Sequence, residues 1–171
     1  MSPEPKIDAT DRAILAELQS DARRSNKALA AAVGLAPSTT LGRVRDLEAR
    51  GAILGYHAEV DPEVLGHSIG ALVSVRLSPK DGDLVSRFVD SLWALDEVLA
   101  VTLLTGPYDL IVQLSVPSIA ELRGLVLDKI ASFDGVSDEQ TMIIFEHRRK
   151  AVLRPLPGGA PDRSAGADGG R

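Results

Sequence analysis

The stretch from Arg24 to Ile53, RSNKALAAAVGLAPSTTLGRVRDLEARGAI, constrains this chain more than any other. It predicts two short helices joined at a tight Gly34-Leu35 corner. Ser25 caps the first, which runs to about Val33 with Leu29 and Val33 facing inward. The second runs from about Pro37 to Arg50 and is closed by Gly51. Leu41, Val44 and Leu47 recur along it at helical spacing and form one apolar stripe. The opposite side carries Ser38, Thr39, Gly42, Arg43 and Arg45. Hydroxyls in the first turn of such a helix reach base edges in a DNA major groove, and arginines one turn on pair with phosphates or with guanine. Upstream, a helix capped by Asp8, with Asp11 near its positive end and Ile14, Leu15 and Leu18 as its apolar face, completes a three-helix unit.

The net charge of −5 looks wrong for a nucleic-acid binder until its distribution is followed. Residues 1–55 hold eight Lys/Arg against seven Asp/Glu, residues 56–151 eight against fifteen, and residues 152–171 three against two. The acid therefore sits in the second segment, and phosphate binding responds to local cations. With no cysteine, disulfides, thiol catalysis and cysteine-ligated metal are excluded. His57, His67 and His147 are scattered without metal spacing, and no phosphate loop, GxSxG or HExxH motif occurs. Asp128, Asp134, Asp138 and Glu139 read as solvated acid. His147-Arg148-Arg149-Lys150 reads as a solvated C-terminal edge, with phosphate contact as the other reading. No apolar run approaches the roughly 20 residues that span a bilayer, and the start MSPEPKIDATD lacks a secretory pattern. The expectation is a cytoplasmic protein with no membrane partner, no metal and no cofactor.

Past Ala52 the pattern changes. Ile53, Tyr56, Ala58 and Val60 suggest an extended connector broken at Asp61-Pro62. Residues 69–77 alternate as a strand, and Leu84, Val85, Phe88, Val89 and Leu92 place a helix over 83–95. Strands over 97–105 and 108–116 flank the Gly106-Pro107 turn. Ser118 caps a helix with Ile119, Leu122, Val126 and Ile130 as its stripe, and a last strand runs from about Glu139 to His147. The order β-α-β-β-α-β is that of the ferredoxin-like sandwich. After Leu153 the Pro, Gly, Ala and Ser content predicts disorder. The expected fold is α+β: a three-helix or winged helix-turn-helix domain over 1–55, a linker strand or hinge over 56–67, a βαββαβ domain over 68–151, and a disordered tail over 152–171.

Taken together, these stretches resemble the leucine-responsive regulatory protein/AsnC (Lrp/AsnC) family of prokaryotic transcription regulators. The resemblance is carried by IDATDRAILAEL (7–18), RSNKALAAAVGLAPST (24–39), RVRDLEARGAILGY (43–56) and LLTGPYDLIVQL (103–114), with GVSDEQTMIIFE (135–146) a looser match. It implies a DNA-binding domain followed by a ligand-sensing domain, a regulation of amino acid metabolism type. It also implies dimers formed through the sheets, assembling to octamers, and a small effector, commonly an amino acid, bound between dimers. The DNA-contacting set is then Arg24, Ser25 and Lys27 with Ser38, Thr39, Thr40, Gly42, Arg43 and Arg45, the partner being double-stranded DNA. The effector turn is Thr105, Gly106, Pro107, Tyr108 and Asp109. Its facing wall, from a neighbouring subunit, is Asp138, Gln140 and Thr141. On chemistry alone Asp109 suits an ammonium group, Thr105 donates a hydroxyl and Tyr108 makes a wall; equally, Gly106-Pro107 is a plain hairpin turn with Asp109 as its local acceptor.

Two departures from the family pattern bear on the reading. Ala36 stands where serine often caps the recognition helix, at a cost of about 1 kcal/mol partly offset by Pro37 at N1. Gly42 in mid-helix costs roughly 1 kcal/mol against alanine; it either permits close approach to the duplex or is simply tolerated. The alternative functions are a tetrapyrrole (sirohaem-type) decarboxylase built on the same frame, and a freestanding amino-acid sensor without DNA binding. An equipped recognition helix speaks for the regulator.

Overall fold

In the computed structural model, which describes residues 7–79 and 81–154, the first helix starts from a reciprocal cap. The Asp8 carboxylate accepts the Asp11 N–H at 2.7 Å, and the Asp11 carboxylate accepts the Asp8 N–H at 3.3 Å, so two of the helix's unpaired first-turn donors are satisfied at once. The helices are α1 (Ala9–Ser20), α2 (Asn26–Val33) and α3 (Pro37–Ala49). Ser25 caps α2 through the Ala28 N–H, and Gly34 ends it at φ 70°, the left-handed corner expected of that glycine. Ala36 gives α3 no side-chain cap; Pro37 opens it. Ile14, Leu29 and Leu47 form the buried centre, with Ile7, Leu15, Leu18, Val33 and Val44 packed around them. Leu41, expected in the apolar stripe, stays exposed. No strand occurs among the described residues of this unit, so the three-helix form is found and not the winged one.

The predicted linker strand is not a strand. Residues 54–61 carry no regular structure within this chain. Asp61 then caps a single 3-10 turn, Pro62–Leu65, through the Glu63 N–H. The contact units divide close by: residues 7–58 group with 149–154, and Glu59–Arg148 form the second unit. Residues 155–171, most of the tail read as disordered, lie outside the described residues.

The second unit is a four-stranded antiparallel sheet of β1 (Ile69–Leu77), β2 (Val98–Leu103), β3 (Leu110–Val116) and β4 (Val136–Ile143), in the order β2-β3-β1-β4. With α4 (Gly82–Trp93) and α5 (Ile119–Leu125, continued by a π-helical stretch Val126–Ala131), this is the expected ferredoxin-like sandwich. Alternation decides its faces. Ala71, Val73, Val75 and Leu77 of β1 and Leu110, Val112, Leu114 and Val116 of β3 are buried with Phe88 and Leu92 of α4 and Leu122, Val126 and Ile130 of the second helix. Phe88 meets the Phe133 ring at 4.6 Å. The strand predicted over 139–147 instead starts at Val136 and stops at Ile143. Gly135, at φ 103°, turns the chain into it and accepts the Ser78 N–H at 2.8 Å.

Gly135 is where the sandwich is least tolerant of a side chain. A Cβ there would sit 2.6 Å from Leu84 Cδ2 in a backbone region that L residues avoid. Gly135→Ala is expected to destabilise this unit by about 1–3 kcal/mol, read as a lower urea midpoint with an unchanged slope.

Candidate nucleic-acid interface and effector turn

Helix α3 presents two different faces. Thr40, Arg43, Leu47 and Arg50 fall three, four and three residues apart, so they share one side of the helix, and that side is turned to α1. Leu47 is fully buried. Arg43 Nη1 lies 2.7 Å from Asp8 Oδ2 and 2.8 Å from Asp11 Oδ1, and Arg50 Nη2 is 3.6 Å from the other Asp11 oxygen. The Asp8 carboxyl is held below its ordinary value of 3.8, first by the Asp11 N–H and then by Arg43. Arg43 is in turn pushed above its usual range, by Asp8 first and then Asp11. These residues line an open cleft of about 520 Å³ with Asp46 and Ala49. The sequence placed Arg43 on the DNA side; the structure places it in a clamp between α1 and α3.

Thr40 needs the same correction. It is fully buried, and its hydroxyl donates to the Ala36 carbonyl at 3.1 Å, a back-bond available because Ala36 is the uncapped start of the helix. It is turned into the unit, away from the exposed face of α3. Ser38, Thr39, Gly42 and Arg45 are exposed on the far side, and a Cβ added at Gly42 would meet nothing within 4 Å. At the start of α2, Ser25 and Lys27 are exposed, while Arg24 is paired with Glu17 at 2.6 Å. Asn26, which the sequence reading passed over, donates from Nδ2 to the Pro37 carbonyl at 2.8 Å. That bond draws the first turns of α2 and α3 to one end of the unit.

Around the second site, the turn between β2 and β3 is gathered by a residue the sequence reading missed. Arg76 of β1 donates from Nε to the Pro107 carbonyl at 2.8 Å, lies 5.5 Å from the Tyr108 ring centre and comes within 3.9 Å of Asp138. The Tyr108 hydroxyl reaches Gln140 Oε1 at 3.3 Å. Asp138 and Gln140 therefore meet the turn within one chain, where the sequence reading had assigned them to a neighbouring subunit. The cause is sheet order: β1 lies between β3 and β4, with Arg76 opposite Asp138. Thr141 is odd-numbered against them and falls on the opposite face, where it bonds Glu139; it does not join the group. Asp109 accepts the Leu77 N–H at 2.9 Å and its own N–H donates to Val75 O. Thr105, Gly106 and Pro107 are exposed.

Two family models match this chain in the same order as its two units. An AsnC-type helix-turn-helix domain matches residues 7–48, and an Lrp/AsnC ligand binding domain matches residues 70–151. The chain belongs to the Lrp/AsnC family. It is 36% identical over 147 residues to the transcriptional regulator AldR of Mycobacterium tuberculosis, covering 86% of this chain and 82% of that protein. With the leucine-responsive regulatory protein of Escherichia coli it shares 34% over 149 residues, 87% of this chain and 91% of that one. Among solved structures it is similar to a Neisseria meningitidis transcriptional regulator in complex with L-methionine, at a TM-score of 0.80 and 31% identity over 89% of this chain and 97% of that one. It is also similar to a Mycobacterium tuberculosis feast or famine regulatory protein complexed with L-methionine, at 0.75 and 30% over 85% and 96%. Among the described residues no group of His, Cys, Asp and Glu is placed to hold a metal, and no helix is long and apolar enough to cross a membrane.

As a member of the Lrp/AsnC family the chain carries its recognition helix on a charged clamp, which sets an acid dependence. A carboxyl whose folded pKa is depressed contributes stability that is present above its unfolded value and lost as pH falls through the folded value. Arg43→Ala should lower the melting temperature at pH 7 by several degrees. The gap from the unsubstituted chain should narrow below pH about 3.8 as Asp8 takes up its proton. Thermal melts followed by circular dichroism from neutral to acid pH test this; a gap independent of pH would remove the clamp's role.

Proposed function

We infer that this chain is a sequence-specific, DNA-binding transcription regulator whose DNA binding or assembly responds to a small effector, an amino acid in first place. The observation that carries the first half is the outward face of α3. Ser38 and Thr39 stand exposed in a first turn whose N–H groups no side chain caps, with Gly42 and Arg45 following along the same face. Donors and hydroxyls at a helix start are suited to phosphate and base edges. Gly42 leaves room for a backbone to come close to the duplex. Arg45, with no ion pair among the described residues, is the arginine available for phosphate, with Ser25 and Lys27 at the start of α2 as flanking contacts. Arg43 and Thr40 act from behind, by holding α3 in place.

For the second half, the support is the chemistry gathered at the β2–β3 turn. Arg76 offers a guanidinium that suits a carboxylate, Asp138 offers acid for an ammonium group, and Tyr108 offers a ring edge. Thr105 and Gly106 at the exposed tip are open to a second molecule of the chain. The bare face of the sheet supports pairing with another copy: Leu72 and Met142 sit opposite each other there, with Ile111 on the same side of β3. A dimer that associates further, to an octamer in the family's manner, would bring several recognition helices to one operator and so compensate for weak individual copies.

Binding of duplex from the chain's own upstream region, followed against salt, tests the DNA half. Arg45→Ala should flatten the plot of log affinity against log salt by about 0.9 for each copy bound to the duplex, the loss of one phosphate contact per copy. An unchanged slope would move the phosphate contact elsewhere. For the effector, a thermal-shift panel of the amino acids should give at least one hit, since a ligand that binds only the folded state raises its stability. Arg76→Ala should abolish that shift while leaving DNA affinity intact; a flat panel would point to an effector of another class, and an unchanged shift in the variant would displace the site.

A further inference from the structure

Part of the cationic charge of the helix-turn-helix is engaged within the protein itself. Residues 7–58 hold seven Lys/Arg against six Asp/Glu, a net of +1. Of those seven, Arg43 and Arg50 are engaged by Asp11 and Arg24 by Glu17. What remains is thin for a domain that has to grip a polyanion.

The structure supplies more from a distant part of the sequence. Residues 149–154 pack with the three-helix unit, not with the sheet they follow. The fastening is Gln19, one residue from the end of α1. Its Oε1 accepts the Leu153 N–H at 2.8 Å and its Nε2 donates to the Leu153 carbonyl at 3.3 Å. One side-chain amide thus satisfies both backbone groups of one residue, as a neighbouring strand would. The segment carries Arg149, Lys150 and Arg154 and no acid, which takes the unit from a net of +1 to a net of +4 over its described residues. Lys150 and Arg154 are exposed.

Its placement also matters. Gln19 lies where α1 runs into the short turn that starts α2, and Asn26 ties the start of α2 to the start of α3 at Pro37. The segment is therefore fastened at the end of the unit where both helices of the motif begin, the end that meets phosphates in a helix-turn-helix complex. We propose that residues 149–154 form a basic strap, held by Gln19, that contacts the DNA backbone beside the helix-turn-helix. The strap rests on the DNA-binding reading above and adds a contact outside the recognition motif, one that grips without reading sequence.

The experiment compares the full chain with K150Q/R154Q on two duplexes, one from its own upstream region and one unrelated, between about 0.1 and 0.4 M salt. The variant should lose about 1.8 from the salt slope, two phosphate contacts, for each copy bound to the duplex, and at least roughly tenfold in affinity at the low-salt end on both duplexes alike. The oligomeric state by light scattering should be unchanged. Gln19→Ala, which releases the strap without removing charge, should give a smaller loss in the same direction. An unchanged slope in K150Q/R154Q, or a loss that tracks a change of oligomeric state, would overturn the strap. An unsubstituted chain whose DNA binding shows no salt dependence would overturn the DNA-binding reading itself.

Discussion

A single buried carboxylate, that of Asp11, organises the DNA-binding half. A charge withdrawn from water costs several kcal/mol unless it is met by partners, and here the Asp8 N–H, Arg43 and Arg50 meet it. Because the arginines come from α3 and the N–H from the start of α1, satisfying that one group fixes the recognition helix against the rest of the unit. The apolar contact of Ile14, Leu29 and Leu47 supplies most of the attraction, but it is non-directional. The clamp supplies the direction, and so decides which face of α3 looks outward.

That arrangement has a consequence for charge. An arginine used to aim the helix is not available to hold phosphate, so fewer of the domain's seven cations are left for DNA. The chain compensates in two ways. On the readings proposed above, assembly through the sheet domain would multiply weak copies, and the returning C-terminal segment would add cations from beyond β4. Both place part of the grip on DNA outside the motif that chooses the sequence.

Much of this was legible in the residues. Gly34, Gly51, Ser25 and Asp8 signalled their caps and corners because each uses local backbone chemistry, and the period-2 and period-3.6 patterns placed all nine main elements. Two of the misreadings share a physical source. Thr40 and Arg43 are polar and were assigned to the DNA face, although counting back from Leu47 by four and seven residues puts them beside it. Polarity suggested water or DNA; spacing, had it been given priority, indicated α1. The last strand was set three residues late because Val136 to Asp138 lack an obvious alternation, and its start depends on Gly135 turning against Leu84.

By itself the sequence determined the order of elements, the two-domain plan and the family, since these follow from local periodicity, capping and short motifs within a few residues of one another. Only the tertiary structure decided the rest. Arg43 with Asp8 and Asp11, Arg76 with Tyr108 and Asp138, and Gln19 with Leu153 join positions between 32 and 134 residues apart, and no local rule pairs residues at that separation. Which charges are spent inside the molecule and which are left for a partner is settled by those long-range pairings.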